Sequence, residues 1–376
     1  MANSFHLNEV YPFLNFVPKT GNGSYLYTEN GLEILDLYGG HAVTSLGYNH
    51  PDINKALTKQ LSELIFQSNA VDLPSRELAA KNLIDLAPKS LKKVFFVNSG
   101  SEANENALKI ALKITKRKKV IAFEHGFHGR TAAAASVTWG ASKWFGFPNA
   151  PMETIFLPRD DIAALEQLDD SIAGVIIEPI QGIGGAYVFD NVFLKALESK
   201  CKKFGVMLIV DEVQCGMGRC GQPYSSNIFD LNPDLITLAK GLGGGIPCGA
   251  VAMTEEIASQ LLPGDLGSTF GGGPIACAAI NVVTSYLSQP SFIANINNVS
   301  NYIKQNCVLG PITAIQGEGL LLGLRTELKA SVLRDKLLEK NILVGASADP
   351  HIIRLLPPLI INDQHVDQLI TALKGI

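Results

Sequence analysis

Cysteine is sparse in this chain, and its six copies at Cys201, Cys215, Cys220, Cys248, Cys277 and Cys307 form no C-x-x-C pair and have no paired histidines beside them. That spacing argues against both a disulfide scaffold and a thiolate metal centre, and it suits small core residues in a reducing compartment. Charge is also scarce. Only 18% of residues are charged, 31 basic against 35 acidic for a net charge of −4, a balance that implies neither a nucleic-acid partner nor an anionic membrane. The one dense basic run, Lys116-Arg-Lys-Lys119, closes a helical stretch, where cations favour the helix C-terminus. No apolar run approaches the roughly 18 residues that a bilayer crossing needs. Met1 to Tyr11 shows no basic region followed by an apolar stretch, so a cytoplasmic location is expected. Internal repeats and low-complexity segments are absent.

What the chain does have is core. Its 376 residues are 47% hydrophobic and include 35 glycines, the mark of a globular protein with many tight turns and close backbone approaches. Between Lys92 and Gly249, apolar β-rich runs alternate with helical spacing. Strands are expected at 93–97, 120–123, 173–177, 206–210 and 235–238, with helices over 102–115 and 193–204. Fully apolar strands separated by helices predict an α/β protein with a mostly parallel sheet covered on both faces. Short strands at 24–27 and 33–37 and a helix from Pro51 to Ile65 come before this region. After it come a long apolar helix over 274–287, strands at 320–324 and 352–355, and a helix over 331–340. Residues 50–275 are therefore expected to form a large domain. Residues 1–49 together with 276–376 would form a smaller α+β domain built from both termini.

In such sheets the ligand sits beyond the carboxyl ends of the strands, so the residues that follow each strand carry the chemistry. Lys240 ends the run Asp234-Leu-Ile-Thr-Leu-Ala-Lys240 just before a glycine cluster. A lysine held there can lose part of its solvation, which lowers its pKa and frees the amine as a carbonyl nucleophile. Asp211 ends the run Val206-Met-Leu-Ile-Val210 and places a carboxylate at another strand end. An imine-forming lysine and a carboxylate able to face a pyridinium nitrogen are what pyridoxal phosphate chemistry requires. Asn98-Ser-Gly-Ser-Glu-Ala103 offers backbone N–H groups at a helix start, where the helix dipole favours a phosphate, although Ser99-x-x-Glu102 also satisfies an ordinary capping box. After the 120–123 run come Phe127, able to stack on a planar ring, and Arg130, able to clamp a carboxylate with its guanidinium fork. The His125/His128 pair lacks a third ligand, so no metal is expected. Glu178-Pro-Ile-Gln-Gly182 and Gly267-Ser-Thr-Phe-Gly271 complete the series with a carboxylate at a strand end and hydroxyls on a flexible loop.

In this order the motifs resemble the class III, or ornithine-type, aminotransferases of the aspartate aminotransferase fold, with acetylornithine aminotransferases the most similar branch. The resemblance runs from about Gly23 to Pro358 and includes Asn98-Ser-Gly-Ser-Glu-Ala-Asn104, Phe127-His-Gly-Arg-Thr131, Glu178-Pro-Ile-Gln-Gly182, Ile209-Val-Asp-Glu-Val-Gln214, Leu238-Ala-Lys-Gly-Leu-Gly-Gly-Gly245 and Arg354-Leu-Leu-Pro-Pro358. It implies a fold-type I enzyme in which Lys240 carries pyridoxal phosphate, Asp211 pairs with the pyridine nitrogen, Gln214 bonds the phenolic oxygen and Phe127 stacks on the ring. Ser99, Gly100 and Ser101 would hold the phosphate, with Ser268 and Thr269 on a loop reaching over from the second subunit of a homodimer. Arg130 would bind the substrate α-carboxylate, and Glu178 would cover or release Arg354 as amine donor and 2-oxoglutarate alternate. The implied reaction moves the δ-amino group of N-acetylornithine to 2-oxoglutarate, giving N-acetylglutamate 5-semialdehyde and glutamate, as in arginine biosynthesis.

Three positions depart from the family's pattern: Ile183 replaces a frequently polar residue, Gly273 a common Asn, and His41 falls in a variable segment that shapes the pocket. They leave N-succinylornithine open as substrate, with ornithine or 4-aminobutyrate behind it. A dehydrogenase would need G-x-G-x-x-G after the first strand, and the sequence there does not supply it. A non-catalytic, regulatory cofactor-binding protein would be expected to have lost Lys240 or Asp211, and both are present.

Overall fold

The computed structural model describes residues 13–376 together with His6, Asn8, Val10 and Tyr11. The remaining residues of the first twelve, part of the 1–49 segment and of the Met1–Tyr11 stretch read above, lie outside the described residues.

Seven strands form the central sheet. From one edge they run Leu91–Val97, Gly249–Thr254, Leu235–Leu238, Met207–Asp211, Ile172–Ile177, Lys119–Phe123 and Glu153–Leu157. Only Gly249–Thr254 runs antiparallel to its neighbours; the pairings from Leu235–Leu238 outward to Glu153–Leu157 are all parallel. The side-chain period of two divides each strand between two cores. Val120, Ala122, Ile176, Ile209, Leu235 and Val251 pack with Ala103, Ala107, Leu108 and Ala111 of the helix Gly100–Thr115. Their strand neighbours Ile121, Phe123, Ile177, Leu208, Val210 and Ile236 join Phe193 and Leu197 of the helix Asn191–Phe204, and Ile280 and Val283 of the helix Pro274–Leu287. Both faces are thus apolar and covered, which accounts for the unbroken hydrophobic runs in the sequence.

The helix Gly100–Thr115 starts at Ser99, whose hydroxyl accepts from the Glu102 amide at 3.2 Å, and stops at Lys116 in the left-handed region at φ 60°. The Glu102 carboxylate reaches back to the Asn98 amide at 2.9 Å, so half of the expected capping box closes one residue early.

Two four-stranded sheets and a two-stranded one, Ile180–Gln181 with Tyr187–Val188, accompany the first. Ile312–Glu318, Leu321–Thr326, Ile352–Leu355 and Gly345–Ala346 form an antiparallel sheet. Pro18–Asn22, Tyr25–Thr28 and Glu33–Asp36 form another, which is completed by Ile342–Leu343 running parallel to Glu33–Asp36. Chain near the N-terminus thus shares a sheet with chain near the C-terminus. The helix Pro274–Leu287 packs on the helices Pro51–Glu63 and Pro74–Leu86. Among the described residues no helix is long and apolar enough to cross a membrane.

Candidate active site

Asp211 and Lys240 come from adjacent parallel strands. Asp211 is in register with Thr237, and Lys240 lies three residues beyond it. The chain turns sharply after Leu238, and Lys240 itself adopts φ 43°, a left-handed conformation that costs a non-glycine residue about 1–2 kcal/mol. Packing compensates for that strain: the Ser45 hydroxyl donates to the Gly241 carbonyl at 2.9 Å and pins the turn. Burial lowers the pKa of the Lys240 ammonium, against the opposing pull of the Glu178 and Asp211 carboxylates.

The Asp211 carboxylate is buried and fixed by three donors. Oδ2 accepts from Asn104 Nδ2 and from His128 Nδ1, each at 2.7 Å, and Oδ1 accepts from the Val213 amide at 2.9 Å. A carboxylate can only accept, so the His128 contact places a proton on Nδ1. Asn104 is oriented in turn by Thr237, whose hydroxyl donates to its Oδ1 at 2.7 Å, and His128 by the Thr138 hydroxyl on its backbone amide at 2.9 Å. Hydrogen bonds of this kind hold a carboxylate oriented and still.

Around these two groups lies a cavity of about 340 Å³. Of the residues expected at the site, Ser99, Gly100, Ser101, Phe127, Glu178, Asp211, Gln214 and Lys240 line it. A Cβ on Gly100 would lie 2.7 Å from Val213 Cγ1, so any larger residue there would have to push the valine side chain aside. A Cβ on Gly182 would collide with the Gln214 amide. Beyond Arg130 the short helix Ala132–Ser136 begins, its first amides capped by Glu105 Oε1 at 2.7 Å from the Ala133 amide and 3.1 Å from that of Ala134.

Four expected residues stand outside the lining. Arg354 is buried behind Gln214 and donates from Nη1 to Gln214 Oε1 at 3.0 Å and from Nε to the Ala346 carbonyl at 2.6 Å. Glu178 accepts from the Phe127 amide at 2.9 Å and the Gly182 amide at 3.3 Å, and burial pushes its pKa up. Glu178 and Arg354 therefore do not pair in this conformation. Arg130 stands exposed on the rim. Ser268 lies beside the helix start, its hydroxyl accepting from Asn98 Nδ2 at 3.2 Å, while Thr269 is exposed.

Pyridoxal phosphate fits this chemistry. A desolvated amine is available for the aldehyde, and an ordered carboxylate can face the ring nitrogen. With Oε1 of Gln214 taken by Arg354, its amide Nε2 remains to donate to a ring oxygen. The first turn of the sixteen-residue helix Gly100–Thr115 presents unpaired backbone N–H groups to a phosphate.

Sequence reading missed Asn104 and His128. A buried Asn among Ala103, Ala107 and Leu108 on an apolar helix face was the available signal for the first. The sequence offers His128 only as a candidate metal ligand, whereas the structure turns its Nδ1 to the Asp211 carboxylate.

A site of this make-up on a mostly parallel seven-stranded sheet belongs to the pyridoxal phosphate-dependent transferases of fold type I. Residues 7–376 match the model of the aminotransferase class-III family, and the chain belongs to that family. It is 40% identical over 368 residues to an acetylornithine aminotransferase from Aquifex aeolicus, covering 95% of each chain. Among solved structures it resembles an ornithine aminotransferase from Toxoplasma gondii whose active site holds PLP at partial occupancy, with a TM-score of 0.91, 28% identity and coverage of 99% of this chain and 91% of that one. An N-acetylornithine aminotransferase from Stenotrophomonas maltophilia K279a superposes with a TM-score of 0.83 at 29% identity, covering 97% and 96%. The protein is a pyridoxal phosphate-dependent aminotransferase.

Proposed function

We propose that this aminotransferase moves the δ-amino group of N-acetylornithine to 2-oxoglutarate, giving N-acetylglutamate 5-semialdehyde and glutamate, and that it does so as a cytoplasmic homodimer. The observation that carries the reading is the Arg130 guanidinium. It is exposed, follows the cavity-lining Gly129 and lies 5.8 Å from the ring centre of Phe127, with no carboxylate partner among the ion pairs of the described residues. The relatives' names supply the donor that such a clamp would hold.

When bound, pyridoxal phosphate supplies an electron sink for the carbon whose proton is removed. Lys240 would hold the cofactor's aldehyde carbon. Once displaced by the donor, its Nζ would take the proton from the donor's δ-carbon, a task that suits an amine whose pKa burial has lowered. Asp211, with Asn104 and His128 behind it, would keep the ring nitrogen protonated. Gln214 would donate to the phenolic oxygen, Phe127 would cover the ring, and Ser99, Gly100 and Ser101 would take the phosphate. Arg130 would bind the α-carboxylate, leaving the δ-amine toward Lys240. Arg354, buried and without an acidic partner within ion-pair distance, would receive a carboxylate of 2-oxoglutarate once Glu178 leaves that charge uncovered.

Residues 50–275 would form the cofactor-binding domain, and 1–49 with 276–376 the smaller one that closes on it. Thr269 is exposed, and beside it Phe270 packs its ring 5.2 Å from that of Phe66, next to exposed Leu64 and Ile65. Covering that patch with a second chain would carry Ser268 and Thr269 to the neighbouring phosphate site.

Steady-state turnover of N-acetylornithine, N-succinylornithine, ornithine and 4-aminobutyrate with 2-oxoglutarate tests the reading. N-acetylornithine is expected to have the highest kcat/KM. A preference for 4-aminobutyrate, which lacks the α-carboxylate, would overturn the role given to Arg130.

A further inference from the structure

The Arg130 side chain makes no ion pair and no hydrogen bond among the described residues, yet it is not unsupported. Its guanidinium carbon lies 4.7 Å from the centre of the Trp144 ring and 5.8 Å from that of Phe127. Phe127 lines the Lys240 cavity, whereas Trp144 belongs to a separate excursion of the chain, at the end of the short turn Ala141–Lys143. Its backbone amide donates to the Ala141 carbonyl at 2.9 Å, which closes that turn and sets where the indole stands.

An arginine can be held in two ways. Hydrogen bonds from its N–H groups hold it but use up donors, and an acidic partner neutralises it. An aromatic face holds the flat guanidinium through its π surface and leaves all five in-plane N–H donors unused. Trp144 does the second. The two rings restrict a long, exposed side chain with many rotamers, so less entropy is lost when a carboxylate docks.

We infer that Trp144 is a positioning residue for substrate recognition: by stacking on Arg130 it presents an uncommitted guanidinium fork to the α-carboxylate of the amino donor. The inference rests on the reading of Arg130 in the proposed function. Trp144 touches neither the reacting carbon nor the cavity floor, so its contribution lies in binding the donor and not in moving protons. It acts through one substituent of the substrate only.

That restriction sets the test. The holoenzyme is reacted in single turnovers with N-acetylornithine and with N-acetyl-1,4-diaminobutane, the same donor without its carboxylate, and the cofactor absorbance is followed. Trp144→Ala should lower the preference for the carboxylate-bearing donor about two- to fivefold, the range that an exposed cation–π contact of ~0.5–1 kcal/mol supports. The change should appear as weaker half-saturation with a nearly constant limiting rate, and Trp144→Tyr should restore it. In a Trp139→Phe background, Trp144 is the only indole in the chain, and its fluorescence should respond to N-acetylnorvaline, which has the carboxylate but no transferable amine. An unchanged preference in Trp144→Ala, or equal losses on both donors, overturns the inference. Failure of the wild-type enzyme to turn over N-acetylornithine at all would instead overturn the proposed function, so the two failures are distinct.

Discussion

The floor and the rim of the cavity are built on opposite plans. On the floor the charged groups around Lys240 are buried and bound: Asp211 has three donors, Glu178 two backbone amides, and Arg354, behind Gln214, an amide oxygen and a carbonyl. On the rim Arg130 and Thr269 are exposed, and Arg130 is held only by ring faces. Fixed dipoles that need no reorganisation suit chemistry that is the same for every substrate. Uncommitted donors on loops suit the choice among substrates. With the roles proposed above, catalysis would fall on the strand ends and specificity on the loops.

The comparison breaks first at its centre. Lys240→Ala should cost about 10³- to 10⁴-fold in the half-reaction with N-acetylornithine, the upper range for a positioned acid–base group, while cofactor remains bound through the phosphate and ring contacts. Stopped-flow absorbance measures the rate, and equilibrium dialysis the retained cofactor. A variant with full turnover would remove the floor from the chemistry altogether.

A second prediction concerns stability behind the floor. Glu212 is fully buried, and although Ser225 and Ser226 bond it through their amides at 2.6 and 2.8 Å, burial pushes its pKa up to about 7. Its folded pKa lies above the unfolded value near 4.5. Between those values the folded state holds a proton that the unfolded chain has released, so stability should fall as pH rises through that window. The difference amounts to about 3 kcal/mol at about 1.4 kcal/mol per unit. Urea unfolding of wild type and Glu212→Gln at pH 5 and pH 8 reads it. The wild type should lose stability relative to the variant at the higher pH, and parallel pH profiles would show that Glu212 ionises normally in the fold.

The same contrast explains what could be read from the sequence. The floor was legible because strands buried on both faces must be apolar throughout, so the residue where each run stops is conspicuous: Asp211, Glu178 and Lys240 are such residues. The strand Gly249–Thr254 escaped because Gly-Ala-Val-Ala-Met-Thr consists of small residues directly after a glycine-rich loop, and nothing local marks its antiparallel direction. The pairing of Glu33–Asp36 with Ile342–Leu343 spans most of the chain, so no window of sequence contains it. The support of Asp211 by Asn104 and His128, and of Arg130 by Trp144, depends on which loops lie side by side, and residue spacing does not encode that. The partners of Glu178 and Arg354 are a property of one conformation, whereas the sequence supplies only two charges of opposite sign.

The smallest expected effect probes whether the rim belongs to one chain or two. The loop carrying Thr269 is seated on the edge strand Leu91–Val97, where a Cβ on Gly271 would run into the Phe96 carbonyl, and the Ser268 hydroxyl accepts from the Gly271 amide at 3.0 Å. That seat fixes the loop but leaves Thr269 turned to solvent. If the hydroxyl serves a neighbouring phosphate site, Thr269→Ala should weaken cofactor binding about two- to tenfold, the loss of one hydrogen bond worth ~0.5–1.5 kcal/mol. The weakening should appear only at chain concentrations where dimers persist, because below them wild type and variant lack the same contact. Fluorescence titration of cofactor-free protein with pyridoxal phosphate across a dilution series separates the cases. Equal affinities at every concentration would leave Thr269 without a role at either site, whereas a deficit that survives dilution to monomers would return the rim to a single chain.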